Sequence, residues 1–220
     1  GLDNLGRAYA DLGQPERAID YYEQALEIDQ AIGDRRGEAS DLGNLGLAYA
    51  DLGEHRTAID HYEMALKISE EVGDRRSEGN CLGALGKAHA ELGDVQVAMD
   101  NYWKALRIAQ QTGDRRGEAT WLGNLGQAYA QLEDLDQAMD YHEQALAIYQ
   151  TIGDRRSEGK HLANLGMLAK MDGDTDRARE VWTDALRTFE AMKDPTAGQV
   201  YDWLAELEVQ PAAEPAAESA

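Results

Sequence analysis

The chain has 220 residues and a formal net charge of −21, from 42 acidic against 21 basic side chains. A surface that acidic argues against nucleic acid and anionic membranes as partners, and no apolar run reaches membrane-spanning length or reads as a secretion signal. Cys81 is the only cysteine, which rules out an intrachain disulfide and fits a reducing, cytoplasmic setting.

Leu2, Leu5, Tyr9 and Leu12 recur at helical spacing, and Gly13 ends that first helix. Pro15 suits the first position of a second helix, which carries Ala18, Tyr22, Ala25, Leu26 and Ile28 up to Gly33. The pair then repeats, with helices predicted over roughly 35–52 and 55–72, 75–92 and 95–112, 115–132 and 135–152, 155–172 and 175–192. Strand patterning is almost absent, so the chain reads as all α.

The joint Gly33-Asp34-Arg35-Arg36 returns as Gly73-Asp74-Arg75-Arg76, Gly113-Asp114-Arg115-Arg116 and Gly153-Asp154-Arg155-Arg156, each time 40 positions on. Such a period marks a stacked-repeat architecture. Glycine supplies a left-handed residue to end one helix, and aspartate caps the next. Both arginines fall in the first turn, where the helix dipole disfavours positive charge, so a role beyond helix stability is expected of them. Small residues recur at Gly46, Gly86, Gly126 and Gly166 and at Ala58, Ala98, Ala138 and Ala178, with large ones at Tyr49, Tyr129, Tyr62 and Tyr102 and with His89, His142 and Trp182 in equivalent slots. A helical glycine costs roughly 1 kcal/mol relative to alanine, a cost that makes sense where a neighbouring helix needs the space.

The fifth copy decays, with Asp172 in place of a leucine and Pro195 where an arginine would stand. Val200, Trp203, Leu204 and Leu207 share one face, so residues 193–208 read as a helix capping the stack. The expected organisation is repeats over 1–32, 33–72, 73–112, 113–152 and 153–192, the cap, and a disordered tail over 209–220. Gly1 falls inside a repeat, so the chain is expected to be a piece of a longer protein.

Leu42, Leu45, Gly46, Tyr49, Ala58, Tyr62 and Ala65 stand at the spacing of the tetratricopeptide repeat, and four further copies obey the same spacing. The pattern resembles that family over nearly the whole chain before residue 193. The usual unit is about 34 residues; the longer unit here, whose extra residues lie around Gly-Asp-Arg-Arg and lack the family's helix-ending proline, is similar to Pins/LGN-type adaptors and kinesin light chains. The resemblance implies an all-α, right-handed superhelical solenoid of five helix pairs plus a C-terminal capping helix.

It also implies that the first helix of each pair lines a concave groove. At 100° per residue, the groove face of these helices carries Arg36, Ser40, Asn44, Leu47 and Asp51; then Arg76, Asn80, Ala84, Lys87 and Glu91; then Arg116, Thr120, Asn124, Gln127 and Gln131; then Arg156, Lys160, Asn164, Met167 and Met171. The opening repeat adds Asn4, Arg7 and Asp11. Asn4, Asn44, Asn124 and Asn164 form a ladder broken by Ala84. Asparagines at this position in the related adaptors bind peptide backbone, and Gly43, Gly83 and Gly123 would allow close approach. Arg36, Arg76, Arg116 and Arg156 form a second ladder suited to carboxylates or phosphates.

Plainer readings stand beside these. Arg35 and its copies point away from the groove and could pair with Glu38, Glu78 and other acids to hold successive repeats together. The asparagines could be hydrated surface residues, and recent duplication could have copied surface positions, although Ser40, Asn80, Thr120 and Lys160 have diverged. His89 and His142 take aromatic slots, while His55, His61 and His161 have no partner at ligand spacing, so no metal or cofactor is expected. Trp121 is expected to pack against the next repeat. No nucleophile with a base and no phosphate loop appears, so no enzyme is expected.

The leading expectation is a protein-binding scaffold for an extended acidic peptide, with Asn4, Arg36, Asn44, Arg76, Asn80, Lys87, Arg116, Asn124, Gln127, Arg156, Lys160 and Asn164 as contact residues. The alternatives are a sensor region of a larger regulator and a homo-oligomer formed through the exposed first repeat.

Overall fold

The computed structural model describes residues 1–209, and among them every regular element is a helix. In order these are α1 (Leu2–Asp11), α2 (Pro15–Ile32), α3 (Arg35–Asp51), α4 (His55–Val72), α5 (Arg75–Glu91), α6 (Val95–Thr112), α7 (Arg115–Gln131), α8 (Leu135–Ile152), α9 (Arg155–Met171), α10 (Thr175–Ala191) and α11 (Thr196–Val209). The ends of α1 to α10 lie within a residue or so of those expected from glycine, proline and aspartate, and the capping helix begins at Thr196 instead of 193. The expected tail differs too: Val209 is still helical, and 210–220 lie outside the described residues.

The chain forms two compact units, divided after Leu132. In the first, each helix packs on the next from α1 to α7, and α3 also meets α1 and α5, and α5 meets α7. In the second, α8 packs on α9, α9 on α10 and α10 on α11. Val200 and Leu207 of α11 are buried in one cluster with Trp182 and Phe189, and Trp203 lies 5.5 Å from the Trp182 ring. The last helix therefore covers the apolar side of α10.

The joints follow from their chemistry. Gly33 has φ 75° and Gly73 φ 70°, a region open to glycine at little cost. Asp34 Oδ1 accepts from the backbone N–H of Arg36 and Gly37, at 3.1 and 3.0 Å. Asp74, Asp114 and Asp154 accept in the same way from Ser77, Gly117 and Ser157. These bonds satisfy donors that a helix start leaves open. Glu133 takes the place of the loop glycines 13, 53, 93 and 173 and holds φ 61° with a side chain attached.

The helical glycines seat aromatic rings. A Cβ on Gly46 would stand 2.5 Å from Tyr62 Cε1, on Gly86 2.6 Å from Tyr102 Cε1, and on Gly166 it would run into Trp182 Cδ1. The helix that needs the space is thus the partner within the same pair.

Arg35 and its copies are paired: Arg35 donates to Glu38 and, at 2.6 Å, to Glu71, Arg75 donates to Glu78 and Gln111, and Arg155 donates to Glu158. The Glu71 and Gln111 contacts close a first helix onto the second helix of the same repeat, which corrects the expectation of a tie between successive repeats. Successive repeats are joined instead where Gln30 donates to Glu38 and Gln110 to Glu118, both at 3.3 Å.

One register position differs in every copy and faces back onto the preceding repeat. It holds Asp41, Cys81, Trp121 and His161. Trp121 stacks on Tyr102 with centroids 6.4 Å apart and lies over Gly83, so it packs against the repeat before it, not the one after as expected. His161 Nδ1 lies 3.0 Å from His142 Nδ1, a pairing across helices that ligand spacing along the chain could not reveal. Burial pulls His161 down to about 4 and His142 down to about 3. Asp41 is fully buried, with the Asp3 carboxyl close beside it. Burial, then the nearby Asp3, Asp29 and Asp34 carboxylates, push it up to about 7.

Candidate functional site

The first helices α3, α5 and α7 lie side by side in the first unit, with clefts in the spaces between them. One, of about 370 Å³, runs between α3 and α5 and is lined by Ser40, Asn44, Leu47, Asn80 and Ala84 over the edge of Tyr62. A second, of about 440 Å³, continues toward the C-terminal ends of the same helices, where Leu47, Tyr62 and Ala84 recur beside Asp51, His55, Lys87 and Glu91. A third, of about 250 Å³, lies between α5 and α7, lined by Lys87, Glu91, Tyr102, Asn124, Gln127 and Gln131.

Of the residues placed on the groove face by angular position, Asn44, Asn80, Lys87, Asn124 and Gln127 line these clefts. Asn4 is exposed on α1. Gly43 is open, with nothing within 4 Å of the point where a Cβ would stand, whereas the approach at Gly83 is occupied by the Trp121 ring. Lys160 and Asn164 are exposed on α9 of the second unit.

The Arg36 ladder lies at the helix starts, all four side chains exposed. Asp74 is held low first by the Ser77 backbone bond, then by the Ser77 hydroxyl and the Arg76 backbone, and last by the nearby Arg36. Arg76 and Asp114 share a narrow cleft with Asn80 and Trp121. Arg156 Nε donates to Asp194 Oδ2 at 3.0 Å. Arg36, Arg76 and Arg156 therefore stand near the aspartate of the following turn.

Sequence pattern places Tyr62 and Tyr102 in the core alone, and they are buried, yet each also forms a cleft wall. Each phenol is raised by burial and then by one carboxylate, Asp51 for Tyr62 and Glu91 for Tyr102, the latter reaching about 12. Asp11 acts on Tyr22 in the same way, after burial. The signal in the sequence is an acid eleven residues before each tyrosine in three copies.

A tetratricopeptide repeat model matches residues 2–71, 42–111, 81–151 and 117–191. The chain belongs to the tetratricopeptide repeat family. Among solved structures, this TPR chain is similar to BtubC from P. vanneervenii, with 27% identity, 87% of this chain and 80% of that one covered, and a TM-score of 0.79. It is also similar to a signal transduction ATPase with numerous domains, with a tetratricopeptide repeat sensor, from Pyrococcus horikoshii, at 23% identity and a TM-score of 0.82. That match covers 94% of the TPR chain but 32% of the larger protein. A Rap protein complexed with Competence and Sporulation Factor matches at 17% identity over 94% of this chain and 64% of that one, with a TM-score of 0.78. No match is found among curated proteins. No helix among the described residues is long and apolar enough to cross a membrane, and no group of three or more candidate metal ligands occurs among them.

Proposed function

We propose that this TPR chain is an interaction module whose clefts along α3, α5 and α7 take an extended segment of a partner protein carrying acidic residues. The observation that carries the reading is that Asn44, Asn80, Lys87, Asn124 and Gln127 line those clefts together. An asparagine amide both donates and accepts, so a row of them pairs with an extended backbone whatever its side chains. Arg36, Arg76 and Arg116, at the helix starts, meet the segment's carboxylates, where the helix dipole adds attraction for negative charge. Asn4 continues the row on α1, and Arg156, Lys160 and Asn164 have the same role on α9 of the second unit. The module works in the cytoplasm by binding alone, without catalysis, cofactor, membrane or nucleic acid.

The test is fluorescence anisotropy against a library of acidic, proline-free dodecapeptides. The wild-type chain binds a subset, and Asn44→Ala with Asn124→Ala, or Arg76→Glu with Arg116→Glu, weakens that subset at least tenfold while circular dichroism stays helical. Unchanged affinity in both double variants removes the reading.

A second reading, a sensing region within a larger regulator, is favoured by the match of 94% of this chain to the Pyrococcus horikoshii protein; the complete reading frame decides it. Self-association is favoured by Leu5, Leu12, Ile28 and Ile32, which are exposed on the first repeat. Light scattering of Leu5→Glu against wild type separates a dimer built there from a monomer.

A further inference from the structure

The clefts are electrically polarised across their width. Along α3 the face begins with Arg36 and ends with Asp51, and along α5 it begins with Arg76 and ends with Glu91. Fifteen residues of helix separate the two charges of each pair, about 22 Å. The helix dipoles have the same sense, positive where the arginines stand and negative where the acids stand. An acidic segment alone would satisfy only the first edge.

The second edge is a formed cavity. Its walls are Leu47, Tyr62, Ala84 and Ala88, and Asp51 and Glu91 stand at its end. Both acids are exposed, and no ion pair among the described residues engages them. Lys87 is the one cation lining it among the described residues, so one positive charge faces two negative ones. His55 also lines it, with an Nδ1 that is screened from solvent and has no hydrogen-bond partner. Asp51 acts on the Tyr62 phenol and Glu91 on the Tyr102 phenol, both raising it, whereas the equivalent positions further on hold Gln131 with His142 and Met171 with Trp182.

Size and reach select the occupant. A backbone held by Asn44 lies seven residues along α3 from Asp51, about 10 Å. Aspartate and glutamate are short, so the partner must supply most of that reach. Lysine and arginine do so, laying an aliphatic stem on apolar surface while the charged head stays among polar groups. Alternate side chains of an extended segment point to opposite sides, so one strand reaches both edges.

We infer that the cleft over Tyr62 is a subsite for a long basic side chain, lysine or arginine, of the same segment whose acidic residues face Arg36 and Arg76. The ligand class is therefore an extended segment of mixed charge with acids on one edge and a base on the other. This rests on the peptide-binding reading above.

The experiment uses the full chain and paired dodecapeptides that keep one acidic pattern and carry a central arginine, lysine, citrulline or norleucine. With wild type, arginine and lysine peptides bind at least tenfold more tightly than citrulline and norleucine ones. In Asp51→Asn with Glu91→Gln that preference disappears while the neutral peptides keep their affinity. Equal affinity across the four peptides overturns the subsite and leaves peptide binding standing, as does a preference that survives the double variant. Absence of binding by any peptide overturns both. Circular dichroism and thermal melting of the double variant exclude misfolding as the cause, since both substituted side chains are exposed.

Discussion

The indole of Trp121 lies across Gly83, so that a Cβ on Gly83 would collide with Trp121 Cη2. Two opposed effects therefore meet in Gly83→Ala. Alanine raises helix propensity by up to about 1 kcal/mol, but forcing the ring aside is overpacking that costs about 1–3 kcal/mol. In wild type the substitution should lower stability in urea unfolding and alter tryptophan fluorescence. In a Trp121→Ala background it should raise stability by up to about 1 kcal/mol. The same sign in both backgrounds would mean that the contact has no energetic weight.

Asp41 gives the first unit a pH dependence of unusual sign. Its ordinary value is 3.8 and its folded value about 7, from burial first and the Asp3, Asp29 and Asp34 carboxylates after it. Between those values the folded chain binds more protons than the unfolded chain, so stability falls as pH rises and levels off above the window. His142 and His161 act oppositely. Burial takes them from 6.5 to about 3 and about 4, so their contribution is present above 6.5 and lost as pH falls. Asp41→Asn removes the first effect and leaves the second. It should melt above wild type at pH 8 and lose that advantage toward pH 4; parallel melting profiles would refute the assignment.

At the joints, caps should outweigh ion pairs. Asp74→Ala removes the acceptor of the Ser77 N–H bond, at 3.1 Å, and should cost about 1 kcal/mol. Arg75→Ala removes exposed contacts to Glu78 and Gln111 and should cost less than about 1 kcal/mol. Denaturant midpoints of the two variants give the order directly, and a larger loss for Arg75→Ala would reverse it.

Glu133 holds a left-handed conformation where four other loops use glycine. Glu133→Gly relieves that strain and should stabilise the chain by about 1 kcal/mol, despite the greater freedom glycine has when unfolded. A fall in the unfolding midpoint would show that the glutamate side chain offsets its own backbone.

The helices were legible because their ends are written locally: glycine with a left-handed backbone, aspartate one residue later, proline at the start of α2. The shared face of Asn44, Asn80 and Asn124 was legible because a rigid helix converts residue number into angle, and all three line clefts. What was not legible depends on contacts between helices. The His142–His161 pair joins residues that sequence spacing treats as unrelated, and the backward lean of Trp121 depends on which neighbour offers a hole. Tyr62 read as core because a single residue type cannot announce that one edge of a buried ring also faces a cleft.

The changing side chain at Asp41, Cys81, Trp121 and His161 has a consequence for assembly of near-copies. Modules this alike could shuffle neighbours or trade places between molecules, since their cores are interchangeable. Trp121 fits over the bare backbone at Gly83, His161 lies against a second imidazole, and Asp41 is a buried carboxyl. Three of the four seams thus carry a contact of their own kind, which works against such exchanges.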